Sequence, residues 1–190
     1  MKLGFYPKMA ADGMHKNGKL YTPYFITSIM MVAVYYILNF LGFSEVLYGI
    51  PGGHTATDLM VLGSYIMALF GLTFLFYTQA TLIKGRKKEF GLYSILGMNK
   101  KNISRIILWE TALTWAIALF GGLLTGIGLS KLAELTFSRM ITASTSYTFT
   151  VSQISVKMTI VVFTLIFVLL YLNSVRQVRF ASPIELVRAD

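Results

Sequence analysis

Cysteine is absent from the sequence, which excludes disulfides, thiolate metal sites and a cysteine nucleophile. Histidine occurs only at His15 and His54, far apart and isolated, so each reads as a solvated loop residue rather than a ligand, and no metal site is expected. Charge is scarce too. Only 13% of the 190 residues are Asp, Glu, Lys or Arg, where a soluble domain carries about 25%. The arrangement GxxxxGK[ST], which cradles phosphates after a strand, is missing, and no catalytic residue stands out. What is present is apolar: 55% of the chain is hydrophobic, too much for a globule of this size to hide from water. The composition argues against a soluble enzyme and for an all-α integral membrane protein. The formal net charge of +9 comes in clusters, which points to membrane orientation and not to nucleic acid.

An uncharged run needs about 20 residues to cross the hydrocarbon as a helix. Leu20 to Ser44 and Leu59 to Ile83 satisfy this, Ile106 to Ser130 does so with Glu110 near its first end, and Met158 to Val175 is shorter but almost wholly aliphatic. Four transmembrane helices are therefore expected, at 21–43, 59–83, 105–130 and 157–175. The segments between them are a lead-in at 1–20, a short outer loop at 44–58, a basic loop at 84–104, a longer outer loop at 131–156 and a tail at 176–190.

Fourteen of the seventeen basic residues precede the first span, join the second to the third, or follow the fourth. Lys131 and Arg139 alone fall in the other two loops, with Lys157 at the outer edge of the fourth span. The positive-inside rule then places both termini and the 84–104 loop in the cytoplasm, with the chain a multi-pass membrane protein. The outer loop at 44–58 carries the breaker Pro51-Gly52-Gly53. In the other, Ile141 to Val151 alternates Thr or Ser with apolar residues, as a short strand pair or an ordered loop would. The opening 5–19 mixes Phe5, Met9 and Met14 with basic residues, as an amphipathic helix or an irregular segment would.

The most informative stretch is KGRKKEFGLYSILGMNKKNISRIILWE, Lys84 to Glu110. Its centre predicts a short helix ended by Gly97, with Asn99 or Asn102 starting the next one. Phe90, Leu92, Tyr93, Leu96 and Met98 would form an apolar surface, with Glu89 among them and Lys87, Lys88, Lys100 and Lys101 flanking it. From the residues alone two readings stay open, a helix lying on anionic lipid and a helix docking into a partner's groove.

Arg86, Glu89-Phe90-Gly91, Leu96-Gly97-Met98, Lys100-Lys101, Ile103 and Glu110 together resemble the signature of the FtsX-like permease domain of mechanotransmission-type ABC transporters. The likeness continues through Phe120-Gly121-Gly122-Leu123-Leu124-Thr125-Gly126 and Ser182-Pro183-Ile184-Glu185-Leu186-Val187-Arg188, so it covers about 59–188. Within that family the 84–104 loop would be the coupling helix, which favours docking. The short first outer loop and the segment Lys16 to Tyr24 are most similar to the first four spans of bacitracin-resistance (BceB-type) permeases. The resemblance implies a cytoplasmic ATP-binding subunit that holds the ATP and magnesium, no cofactor in this chain, and no enzymatic activity of its own. It further implies the remainder of the permease with a second FtsX-like half, the lipid bilayer and a sensor histidine kinase as partners, and antimicrobial-peptide export, resistance or sensing as the task. The rival readings are a small regulatory membrane subunit and an oligomeric four-helix channel.

Glu110 is the one acidic residue within a span. A proton relay needs further titratable groups at depth, and the other spans offer none. The expected arrangement is a shallow intramembrane ion pair with Arg105, or with Lys101, or a backbone cap. Gly121, Gly122 and Gly126 are expected to serve close helix packing.

Overall fold

The computed structural model describes residues 5–44, 52–95, 97–140 and 152–180. All of its regular elements are helices: α1 (Phe5–Lys16), α2 (Gly18–Gly42), α3 (Gly53–Gly85), α4 (Lys87–Ile95), α5 (Lys100–Met140) and α6 (Gln153–Phe180). Four of them, α2, α3, α5 and α6, are long and apolar enough to cross a membrane. Their exposed apolar side chains, such as Leu62, Ile66, Leu69 and Phe120, suit hydrocarbon, which demands that backbone groups be satisfied within the helix.

The joints between helices are set by single residues. Asn17 ends α1 and begins α2. Its backbone N–H and its Nδ2 both donate to the Gly13 carbonyl at 3.1 Å, while its own carbonyl accepts from the N–H groups of Leu20 and Tyr21. Gly52 stands before α3 at a φ of 83°, a left-handed conformation that a side chain would strain. Gly97 does the same after α4, at φ 86°, and the Met98 N–H returns to the Tyr93 carbonyl at 2.9 Å in the manner of a Schellman stop. Asn99 then opens α5, its carbonyl accepting from the N–H of Asn102 and of Ile103.

The helices outrun the apolar runs that mark them. Helix α3 begins at Gly53, within the expected 44–58 loop, and α5 continues to Met140, ten residues beyond the expected third span. Helix α6 likewise starts at Gln153, before Lys157. Hydropathy marks the part of a helix that faces hydrocarbon, and a charged residue at the water boundary does not stop the hydrogen-bond ladder. The possible strand pair at 141–151 lies outside the described residues.

The chain forms two packed units, one built from 1–27, 73–116 and 164–190, the other from 28–72 and 117–163. In the second, Tyr36, Phe40 and Leu41 form a core joined by Met60, Leu123 and Val156, and Tyr35 meets Phe163 edge to face at 5.6 Å. Here the glycines of α5 lie against α2. A Cβ on Gly122 would collide with Val32 and stand 3.0 Å from the Ile29 carbonyl oxygen, and one on Gly126 would lie 3.0 Å from Tyr36 and 3.3 Å from the Ala33 backbone. Gly121 would meet Ile29 at 3.2 Å. Gly122→Ala should therefore lower stability by about 1–3 kcal/mol through overpacking. Gly128→Ala, with open space around it, should leave stability unchanged or raise it by up to about 1 kcal/mol. Thermal unfolding of the two variants in detergent checks this pair.

Candidate functional site

The first unit places a buried charged cluster at the joint between α3 and α4. Arg86 is the single residue between those helices: its N–H donates to the Ile83 carbonyl, and its carbonyl accepts from the Phe90 N–H. At such a corner its side chain would ordinarily reach water. Instead it is 1% exposed. Nη1 donates to Glu110 Oε1 and to the Tyr21 hydroxyl, both at 2.6 Å, and Nε donates to Glu89 Oε2 at 3.0 Å. The Tyr21 hydroxyl donates in turn to Glu110 Oε2 at 3.1 Å, and Asn17 Nδ2 donates to Glu89 Oε1 at 2.8 Å. The guanidinium carbon also lies over the rings of Phe90 and Tyr21, 5.1 and 5.7 Å from their centroids.

One side chain thus joins α2, α4 and α5, and Asn17 extends the network to the end of α1. Burial works against the guanidinium charge, yet the Glu110 carboxylate, with smaller help from Tyr21 and Glu89, holds its pKa above the ordinary arginine value. The charge is permanent, and the planar fork suits several fixed acceptors at once. Gly13 closes the cluster from α1. A Cβ there would stand 2.9 Å from Arg86 Nη2 and 3.4 Å from Glu110 Oε1, so the helix backbone itself covers the pair. Around it, Ile83, Phe90, Ile103, Ile107 and Val178 form one core cluster, and Tyr6, Ala10 and Ile106 form another.

Two expectations about this region need correction. Glu110 takes Arg86 as its partner, not Arg105 or Lys101. Arg105 lies five positions before Glu110 on α5 and Lys101 nine, which turns them about 140° and about 180° around the helix from it. Arg105 stands instead over the Tyr6 ring, 5.7 Å from its centroid, and Lys101 is exposed. Second, Phe90 is not an outward anchor. It is 1% exposed in the core, and Tyr93 and Met98 pack partly against the same cluster.

The outward apolar residues of α4 are Leu92 and Ile95, 55% and 66% exposed, three apart and so on one side of the helix. Glu89 is half-buried in the Arg86 network, Lys87 and Lys100 are half-buried, and Lys88 is exposed. Leu96 lies outside the described residues. Sequence reasoning picked out Glu110 and α4 but did not assign Arg86, Tyr21, Asn17 or Gly13 to the site. The available signal was Glu110 itself, since a carboxylate inside a span calls for a cation.

Comparison with known proteins bears on what this arrangement serves. The chain is 26% identical over 175 residues to an uncharacterised ABC transporter permease, YvcS, of Bacillus subtilis, covering 91% of this chain and 27% of that protein. It is 28% identical over 161 residues to the bacitracin export permease protein BceB of Halalkalibacterium halodurans, covering 85% and 25%. Against BceB of Bacillus subtilis the identity is 23% over 175 residues, covering 92% and 27%. The chain thus spans about a quarter of the length of these relatives. The profile of the FtsX-like permease C-terminal family matches residues 61–183, well over half of the chain and inclusive of α4, Arg86, Glu110 and the glycines of α5. The chain belongs to the FtsX-like permease family.

Proposed function

We propose that this chain is part of an ABC transporter permease in which α4 receives a cytoplasmic ATP-binding subunit and passes its movement into the membrane helices. The observation that carries this reading is the Arg86 cluster. A nine-residue helix on two flexible joints would absorb a push from a partner. Here Arg86 and Glu89 fasten α4 to α5 through Glu110, to α2 through Tyr21 and to α1 through Asn17, so a displacement of α4 must be shared by the long helices. The outward Leu92 and Ile95 provide apolar anchors, and the basic residues flanking α4 guide approach. Clustering of basic charge on the segments at this end supports a cytoplasmic placement for it. The names of the BceB relatives support antimicrobial-peptide export as the task, with the rest of the permease supplying the remaining spans.

Buried apolar anchors dominate such contacts, each worth about 2 kcal/mol or more on truncation, whereas rim charges govern encounter and salt dependence. Leu92→Asp with Ile95→Asp should therefore release the ATP-binding subunit from the purified transporter, while Lys101→Ala should only lower the salt concentration at which it is released. Phe90→Ala should reduce thermal stability without this selective release, because Phe90 faces the core. Retention of the subunit at wild-type stoichiometry by the Leu92/Ile95 double variant would show that α4 is not the docking element.

A further inference from the structure

Beside α4, an open groove of about 710 Å³ runs along α1. Its α1 wall is one helical stripe that includes Phe5, Met9 and Gly13, and its α4 wall carries Glu89, Leu92 and Tyr93. Phe5 and Leu92 are 46% and 55% exposed, so apolar surface faces the opening from both sides. The neighbouring stripe of α1, with Tyr6, Ala10 and Met14, is about 100° further round the helix and is buried. The helix therefore has one side for its own fold and an adjacent, partly apolar side that the described residues leave open.

The rim charges identify the class of occupant. Lys8, Asp12 and Lys16 all line the groove and are all exposed. They recur every fourth residue, which sets them in a row along the helix with signs plus, minus, plus. Glu89, on the α4 side, is already held by Arg86 and Asn17. An anionic bilayer surface attracts lysines but is repelled by Asp12, so a helix built only for lipid would not carry an acid between them in the same row. A protein segment with alternating charge can match all of these positions, and apolar side chains projecting from it would fill the space between Met9 and Leu92.

We infer that the groove between α1 and α4 is a second docking site for the ATP-binding subunit, occupied by an apolar ridge flanked by charges of sign minus, plus, minus opposite Lys8, Asp12 and Lys16. The inference rests on the reading of α4 as the docking helix and extends it, because it makes α1 part of the same contact. Gly13, Asn17 and Glu89 belong to both the groove lining and the Arg86 cluster. Occupation of the groove would thus press directly on the elements that hold Arg86.

The test uses the whole transporter with its ATP-binding subunit, carrying benzoylphenylalanine at Met9 or, separately, at Ile95. Irradiation should join the ATP-binding subunit covalently to both positions. If Ile95 captures the subunit while Met9 yields only lipid adducts, the groove proposal is overturned and the docking of α4 stands. If neither position captures it, both fail. Because Met9 is half-buried, an exposed pair gives an independent check: Lys8→Glu with Lys16→Glu should shift release of the subunit to lower salt. An unchanged release profile would also overturn the proposal.

Discussion

Replacing Arg86 with methionine should lower the stability of the permease by about 3–5 kcal/mol, the usual cost of stranding one member of a buried ion pair. Glu110 is 5% exposed, so without the guanidinium its charge would keep, among the described residues, only the Tyr21 hydroxyl as a partner. Glu89 would lose its tie to the same corner, and Phe90 the cation above its ring. The loss should appear as a lower midpoint in thermal unfolding of the detergent-purified protein. A change within about 0.5 kcal/mol, typical of a surface position, would mean that the cluster does not hold α4 in place.

Removing the second charge should reverse much of that loss. With Arg86→Met already present, Glu110→Leu takes away the stranded carboxylate, and a buried pair replaced by apolar residues of similar size is often neutral or stabilising. Tyr21 would then lose both partners, at a cost of about 1–3 kcal/mol, so recovery should be partial, about 2 kcal/mol or more relative to Arg86→Met alone. This separates stability from transmission, for the double variant regains part of its stability while α4 loses its polar tie to α5. A double variant no more stable than the sum of two independent losses would show that Arg86 and Glu110 do not act as a pair.

The parts of this architecture that were legible from the sequence are those fixed by local chemistry. Four spans follow from four long runs nearly free of charge, and the stop at Gly97 follows from a residue that adopts positive φ without strain. Helix ends were less legible, because Lys84 at the end of α3, Lys131 within α5 and Lys157 within α6 interrupt apolar runs without interrupting helices. The orientation of α4 was hidden for a different reason. It carries apolar residues on both sides, Phe90 and Tyr93 facing the core and Leu92 and Ile95 facing out, so composition marks the segment without saying which side is the interface. The partner of Glu110 was beyond local reasoning altogether. Arg86 lies 24 residues away along the chain, and only the reversal at Gly97 and Asn99 brings it back alongside α5. Gly13 carries no sequence signal of its role, which exists only because α1 crosses the ion pair.

Movement of α4 should pass through Arg86 into the long helices, and spin-label distances measure this. The absence of cysteine from these 190 residues allows Phe43→Cys and Leu132→Cys, both at exposed positions in the unit that does not include α4, to be labelled with no competing thiol in this chain. The distance between them should change when ATP is added to the transporter assembled with its ATP-binding subunit. Arg86→Lys keeps the charge but loses the planar fork that engages Glu110, Tyr21 and Glu89 together. This variant should keep the subunit bound and lose the ATP-dependent change in distance. A change of wild-type size in the Arg86→Lys transporter, with the subunit bound, would rule out transmission through Arg86.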